Sequence, residues 1–201
     1  WKKSTGKIIG LPAGSIGQIW ETEAPAYGGS TLDYRQLWIN GRRAIRARDE
    51  YCYLQRITSW DKKSGKLGVP TTWIDKFAKN AKFSDKNALE LTLHQMWAIA
   101  NLRVKDIEKA GNEYLISFQQ PEARIQAEHP WPTPMTVDSV RSPFYLSNAI
   151  EFLDEPGEWF LDKKNRKLYY WPLPGENLKK DNAVIPYLET LVSFEGTLDC
   201  P

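Results

Sequence analysis

The chain has 201 residues, 41% of them hydrophobic and 26% charged, ordinary values for a globular domain long enough to bury a core. A net charge of +2 gives no sign of a nucleic-acid surface, which needs clustered excess cation. No apolar run is long enough to span a membrane.

Glycines at 6, 10, 14 and 17 with Pro12 break the first twenty residues into short stretches. Residues 7–11 and 17–22 are expected to be edge strands, and residues 21–31 a loop around Pro25 and Gly28-Gly29. Residues 34–48 read as a hairpin, because Asn40-Gly41 supplies the two positive-φ positions of a type I′ turn. That turn sets Ile39 opposite Arg42 and Trp38 opposite Arg43. Counting on, Arg35 falls opposite Arg46, a like-charge pair that needs an anion between its members. An Asp or Glu of another strand is the simpler supplier; an acidic sugar, or an acid elsewhere in a longer protein, is the alternative. Arg35 and Arg46 are therefore candidate contact residues.

Residues 51–60 and 66–69 suggest a second hairpin around the polar turn at 61–65. Thr71 or Thr72 is placed to cap a short helix over residues 73–79. Residues 88–93 alternate, with Leu89, Leu91 and Leu93 facing in and Glu90, Thr92 and His94 facing out. With 98–107 and 113–118 they read as an antiparallel meander turning at Gly111-Asn112. Residues 119–142 carry no periodic signal, and long irregular segments are often functional. Three prolines hold the HPWPTP run extended. Trp131 is accordingly a candidate for a partly exposed interface or glycan contact, with His129 beside it. A lid over the domain's own core is the competing position for Trp131, and a solvated loop histidine the simpler reading of His129.

Residues 147–154 suit one helical turn before Pro156. The aromatic runs 158–162 and 167–171 flank Lys163-Lys164-Asn165-Arg166, a loop of hairpin length. Trp159 and Leu161 alternate with Glu158 and Phe160, so large rings point to both faces and both faces should be covered. Residues 175–183 read as a polar loop and 188–194 as a last strand closed by Gly196.

No GxSxG, HExxH, P-loop or GxGxxG motif is present, and no CxxC pair, so no metal or cofactor is expected. Cys52 and Cys200, the two cysteines, are expected to be unpaired small apolar residues. Glu155 with Glu158 and Asp154 with Asp162 are conceivable acid pairs for glycoside hydrolysis, but both flank a strand whose pattern is structural. No βαβ alternation occurs. The expectation is an all-β fold, an antiparallel β-sandwich or irregular β-barrel with one or two short helical turns.

Three segments carry a family resemblance: YRQLWINGRRAIRAR (34–48), SNAIEFLDEP running into the 158–171 hairpin, and LETLVSFEGTLDCP (188–201). They resemble, in the same order, a compact β-domain inserted into secreted right-handed parallel β-helix glycoside hydrolases of the α-L-fucosidase and xylanase type. The resemblance implies a single β-domain over 1–201, excised from a β-helix protein that residues 188–201 rejoin. It implies a non-catalytic accessory domain that buttresses the β-helix and borders the glycan cleft, outside the cell or in the periplasm. The implied partners are the parent β-helix and a glycan, with no nucleic acid and no membrane. The family's catalytic acids sit on the β-helix, so no catalytic residue is expected here. A stand-alone carbohydrate-binding module and a glycosidase in its own right stay as alternatives.

Overall fold

A computed structural model describes residues 1–50, 54–128, 133–137, 141–188 and 190–196. Its centre is the hairpin formed by Glu158–Asp162 and Lys167–Tyr170, in the register Trp159 with Tyr170, Phe160 with Tyr169, and Leu161 with Leu168. Both faces are covered, as the alternation of rings requires. Trp159, Leu161, Leu168 and Tyr170 point into one core with Tyr34, Leu37, Ile39 and Leu178. Phe160 and Tyr169 point into a second, larger core with Phe144, Leu91, Ile116 and Phe152.

The hairpin is the middle of a five-stranded sheet, in the order Lys2–Lys3, Trp20–Glu23, Lys167–Tyr170, Glu158–Asp162, Ile45–Arg46. The last pairing is parallel, Glu158 beside Ile45 and Trp159 beside Arg46. A seven-stranded antiparallel sheet closes the larger core, in the order Gln55–Arg56, Pro143–Ser147, Glu90–His94, Ile99–Ala110, Glu113–Phe118, Lys66–Pro70, Ser59–Asp61. Neither sheet closes into a barrel, so the architecture is sandwich-like and all-β. The expected meander is its centre, with a register shift between Val104 and Asp106. The Asn40-Gly41 turn has the positive φ angles expected of type I′, 49° and 75°, and pairs Trp38 with Arg43 and Ile39 with Arg42.

Several expectations are corrected. Residues 7–11 form no strand: Gly10 turns the chain at φ 87° and Ile9 stands exposed. Residues 21–31 hold more order than a loop, since Trp20–Glu23 is a strand and Ala26–Tyr27 pairs with Ser30–Thr31 across Gly28-Gly29. The short helix runs Thr71–Phe77 with Pro70 at the cap position and no side-chain cap; the Thr71 hydroxyl donates to the Asn112 carbonyl instead. A second helix, Glu122–Glu128, lies where no periodic signal was found. None of its side chains is fully buried, so no apolar stripe marks it. Residues 190–196 form no strand, and Phe194 is 95% exposed. The expected turn before Pro156 is present as a 3-10 helix, Ile150–Phe152. Cys52 and Cys200 lie outside the described residues.

Candidate functional site

The Glu90–His94 strand lies between Pro143–Ser147 and Ile99–Ala110. Its register sets Glu90 beside Ser147, Thr92 between Tyr145 and Asn101, and His94 beside Ile99. Alternate side chains share a face, so these residues form one polar surface while Leu91, Leu93, Leu102, Phe144 and Leu146 fill the core beneath. The polar surface does not simply meet solvent. Residues 35–48 border it, and between them lies a cleft of about 540 Å³ lined by Arg35, Arg43, Arg46 and Arg48 on one side and by Glu90, Thr92, His94, Asn101 and Tyr145 on the other.

Glu90 is held between two arginines. Arg46 donates to it from Nη1 at 2.8 Å and from Nη2 at 3.2 Å; Arg35 donates from Nε at 3.1 Å and from Nη2 at 3.3 Å. The like-charge pair thus has the acidic partner its sequence demanded, from another strand. The geometry differs from the simple hairpin count in one respect. After Ala44, whose amide bonds the Leu37 carbonyl, the chain leaves the hairpin and pairs in parallel with Glu158–Trp159. Arg35 and Arg46 therefore meet at Glu90 rather than across a ladder. Arg46 also lies 5.9 Å from the Trp159 ring centroid, which ties the cleft wall to the central hairpin.

Arg48 is the second fixed cation. Its guanidinium carbon lies 3.7 Å from the centroid of the Tyr145 ring, a close cation–π contact. His94 packs tilted against the same ring at 5.9 Å. Burial first, and then the Arg48 charge, pull the His94 imidazole below its ordinary pKa, so at neutral pH it is uncharged and the cleft's positive charge comes from the arginines. Thr92 donates to Asn101 Oδ1 at 2.9 Å.

Two of the acids that sequence alone made conceivable as catalytic, Glu158 and Asp162, serve the fold; Asp154 is exposed, with its carboxyl raised to about 6 by partial burial and the Glu155 charge. Glu158, 3% exposed, accepts from the amides of Asp154 at 3.1 Å, Glu155 at 3.2 Å and Arg48 at 3.4 Å. Burial raises its carboxyl to about 8 despite those donors. Asp162 caps the hairpin loop by accepting from the Asn165 amide and side chain at 2.9 and 2.7 Å. Asp154 adjoins one end of the Glu158–Asp162 strand and Asp162 closes the other, about 13 Å away at the usual strand rise. Glycosidase acids sit roughly 5–9.5 Å apart. Asp49 is fully buried and accepts from the Trp73 indole at 2.7 Å; burial lifts its carboxyl to about 7.

Of the four residues singled out in the sequence, Arg35 and Arg46 are brought together at Glu90, while His129 and Trp131 lie outside the described residues. Arg43, Arg48, Asn101 and Tyr145 were not foreseen. The available signal was the outward set Glu90, Thr92, His94, whose polar side chains alternate with leucines on a strand that is central to its sheet. Among the described residues no cluster of three or more His, Cys, Asp or Glu is placed to hold a metal, and no helix is long and apolar enough to cross a membrane.

Fold and cleft together define an all-β domain with buried acids held in its own structure and a cleft lined by four arginines. The chain belongs to the GH141 insertion domain family, whose model matches residues 17–173. It is similar, at 45% identity and a TM-score of 0.82, to a solved structure titled "Glycoside hydrolase"; the match covers 92% of this chain and 32% of that one. The chain thus spans about a third of the length of that protein. No curated protein matches the chain.

Proposed function

We propose that the chain is a non-catalytic accessory domain of a carbohydrate-active enzyme, set into a parallel β-helix that it buttresses, at the border of the glycan-binding cleft. The observation that carries this reading is where the acids are spent. Asp49 and Glu158 have the raised pKa values that general acids need, yet both are sealed in the interior, where no glycosidic oxygen can reach them; Asp154, raised to about 6, is exposed but does not line the cleft. The one acid lining the cleft, Glu90, is already neutralised by two arginines. Membership in an insertion-domain family, and a match to about a third of a longer glycoside hydrolase, support the same reading. So do the exposed apolar side chains Met96, Trp97 and Ile99 at one sheet turn and Leu191, Val192 and Phe194 near the C-terminal end, which suit burial against a larger body. Polysaccharide substrates lie outside the cell, so the parent enzyme belongs there or in the periplasm.

The test is an assay of the isolated chain and of its full-length parent against aryl fucosides, xylosides and galactosides. The expected outcome is turnover by the parent alone. Turnover by the isolated chain that is abolished by Asp154→Asn or Glu158→Gln would overturn the proposal.

A further inference from the structure

We infer that the cleft between residues 35–48 and the outer face of the Glu90–His94 strand binds a carboxylate-bearing sugar, a uronate unit of a polysaccharide. The inference rests on the accessory role proposed above and names a ligand for it. Charge is the first argument. Four guanidinium groups and one carboxylate line the cleft, although the whole chain carries only +2. Glu90 accepts four hydrogen bonds from Arg35 and Arg46, so it offsets those two cations and no more. Arg43 is exposed and makes no ion pair among the described residues. Arg48 lies over the Tyr145 ring and donates from Nε to the Asp49 carbonyl at 3.3 Å, so its guanidinium is held at the cleft wall before any ligand arrives, which lowers the ordering cost of binding. A guanidinium fork matches a carboxylate in two parallel hydrogen bonds.

The lining and the size argue for a sugar rather than a bare anion. Thr92, Asn101 and Ser147 add neutral hydroxyl and amide groups, and Ile99 an exposed apolar edge, the mixture a polyhydroxylated ring needs. A volume of about 540 Å³ lies within the usual range for small-ligand sites.

The experiment is calorimetric titration of the 201-residue chain with trigalacturonate, with a glucuronate-bearing xylotriose, with both sugars after reduction of their carboxyl groups, and with sulfate. At least one acidic trisaccharide should bind, tenfold or more tighter than its reduced form. Arg43→Ala should weaken that binding about tenfold, with circular dichroism and thermal unfolding unchanged because Arg43 is exposed and unpaired. Asn101→Ala should weaken it less. Arg46→Ala is unsuitable, because it strips buried Glu90 of its main partner. Equal affinity for acidic and reduced sugars, sulfate binding as tight as either acidic sugar, or an Arg43→Ala, Arg48→Ala double variant that binds like the wild type would each overturn the inference. The two proposals fail separately. Glycoside turnover by the chain would end the accessory role and leave the uronate site standing, whereas an inactive chain that ignores both acidic sugars loses the site alone.

Discussion

At the scale of single residues, the buried acids make stability depend on pH in a direction opposite to the common one. Burial raises the Glu158 carboxyl to about 8 and the Asp49 carboxyl to about 7, while the unfolded chain titrates both groups near 4. The folded state therefore holds more protons than the unfolded state between about pH 4 and 8, and stability falls as pH rises through that window. Glu122 acts with the opposite sign: hydrogen bonding to Arg103 holds its carboxyl down to about 2, so its contribution is present above the unfolded value and is lost as pH falls. The combination places maximum stability near pH 4. Between pH 5 and pH 8 the wild type should lose on the order of a few kcal/mol, since each pKa unit corresponds to about 1.4 kcal/mol. Urea unfolding at the two pH values measures the loss. The Asp49→Asn, Glu158→Gln double variant should keep only the small fall below about pH 6 that the raised Asp154 carboxyl contributes. A wild type more stable at pH 8, or a double variant that keeps the full slope, would contradict the burial argument.

At the scale of elements, legibility followed the physical signal each element emits. Strands that bury alternate side chains were plain: Leu89, Leu91 and Leu93, or Tyr114, Ile116 and Phe118, could be placed on a core face without the structure. The Glu122–Glu128 helix was not, because it has no fully buried residue, packs on the core only through Ala123, and is tied down by Arg103, which donates to both Glu122 carboxylate oxygens. Its good helix formers were the one sign it offered. The two-residue strands Lys2–Lys3 and Ala183–Val184 are likewise too short for a period. The site divided the same way. The need for an anion at Arg35 and Arg46 could be read from charge and turn geometry, but the identity of that anion depends on a sheet order in which Pro143–Ser147 and Ile99–Ala110 flank Glu90–His94. Hairpin register was legible because the Asn40-Gly41 turn permits one solution, and that turn can be tested. Gly41 has φ 75° and open space around a would-be Cβ, so Gly41→Val introduces backbone strain without a clash. It should cost about 1–3 kcal/mol. A Gly41→Val variant with unchanged urea midpoint would show that the packing of Leu37 and Ile39, not the turn, sets the register.

At the scale of the whole molecule, the central question is whether two hydrophobic cores make one cooperative unit. The five-stranded sheet lies between them, and one hairpin supplies side chains to both: Phe160 and Tyr169 to the larger core, Trp159, Leu161, Leu168 and Tyr170 to the smaller. A strand covered on both faces cannot lose one layer without exposing apolar surface on that side, and its ladder is shared by the layer that remains. The cleft adds a second link. Glu90 sits in the seven-stranded sheet and Arg46 in the five-stranded one, and their 2.8 Å contact crosses between the sheets with both side chains largely buried. Separating the layers would strand a charge in the interior, at a cost of about 3–5 kcal/mol. The expected behaviour is a single transition reporting on both cores. Phe160→Ala and Leu161→Ala probe opposite faces of neighbouring positions in one strand. Each should lower stability by about 2–5 kcal/mol, and each should leave tryptophan fluorescence and far-ultraviolet circular dichroism unfolding at the same urea concentration. If Leu161→Ala splits the transition, with Trp159 exposed before the bulk of the strand signal is lost, the smaller core is an independent unit. The cleft wall would then detach from its floor ahead of global unfolding.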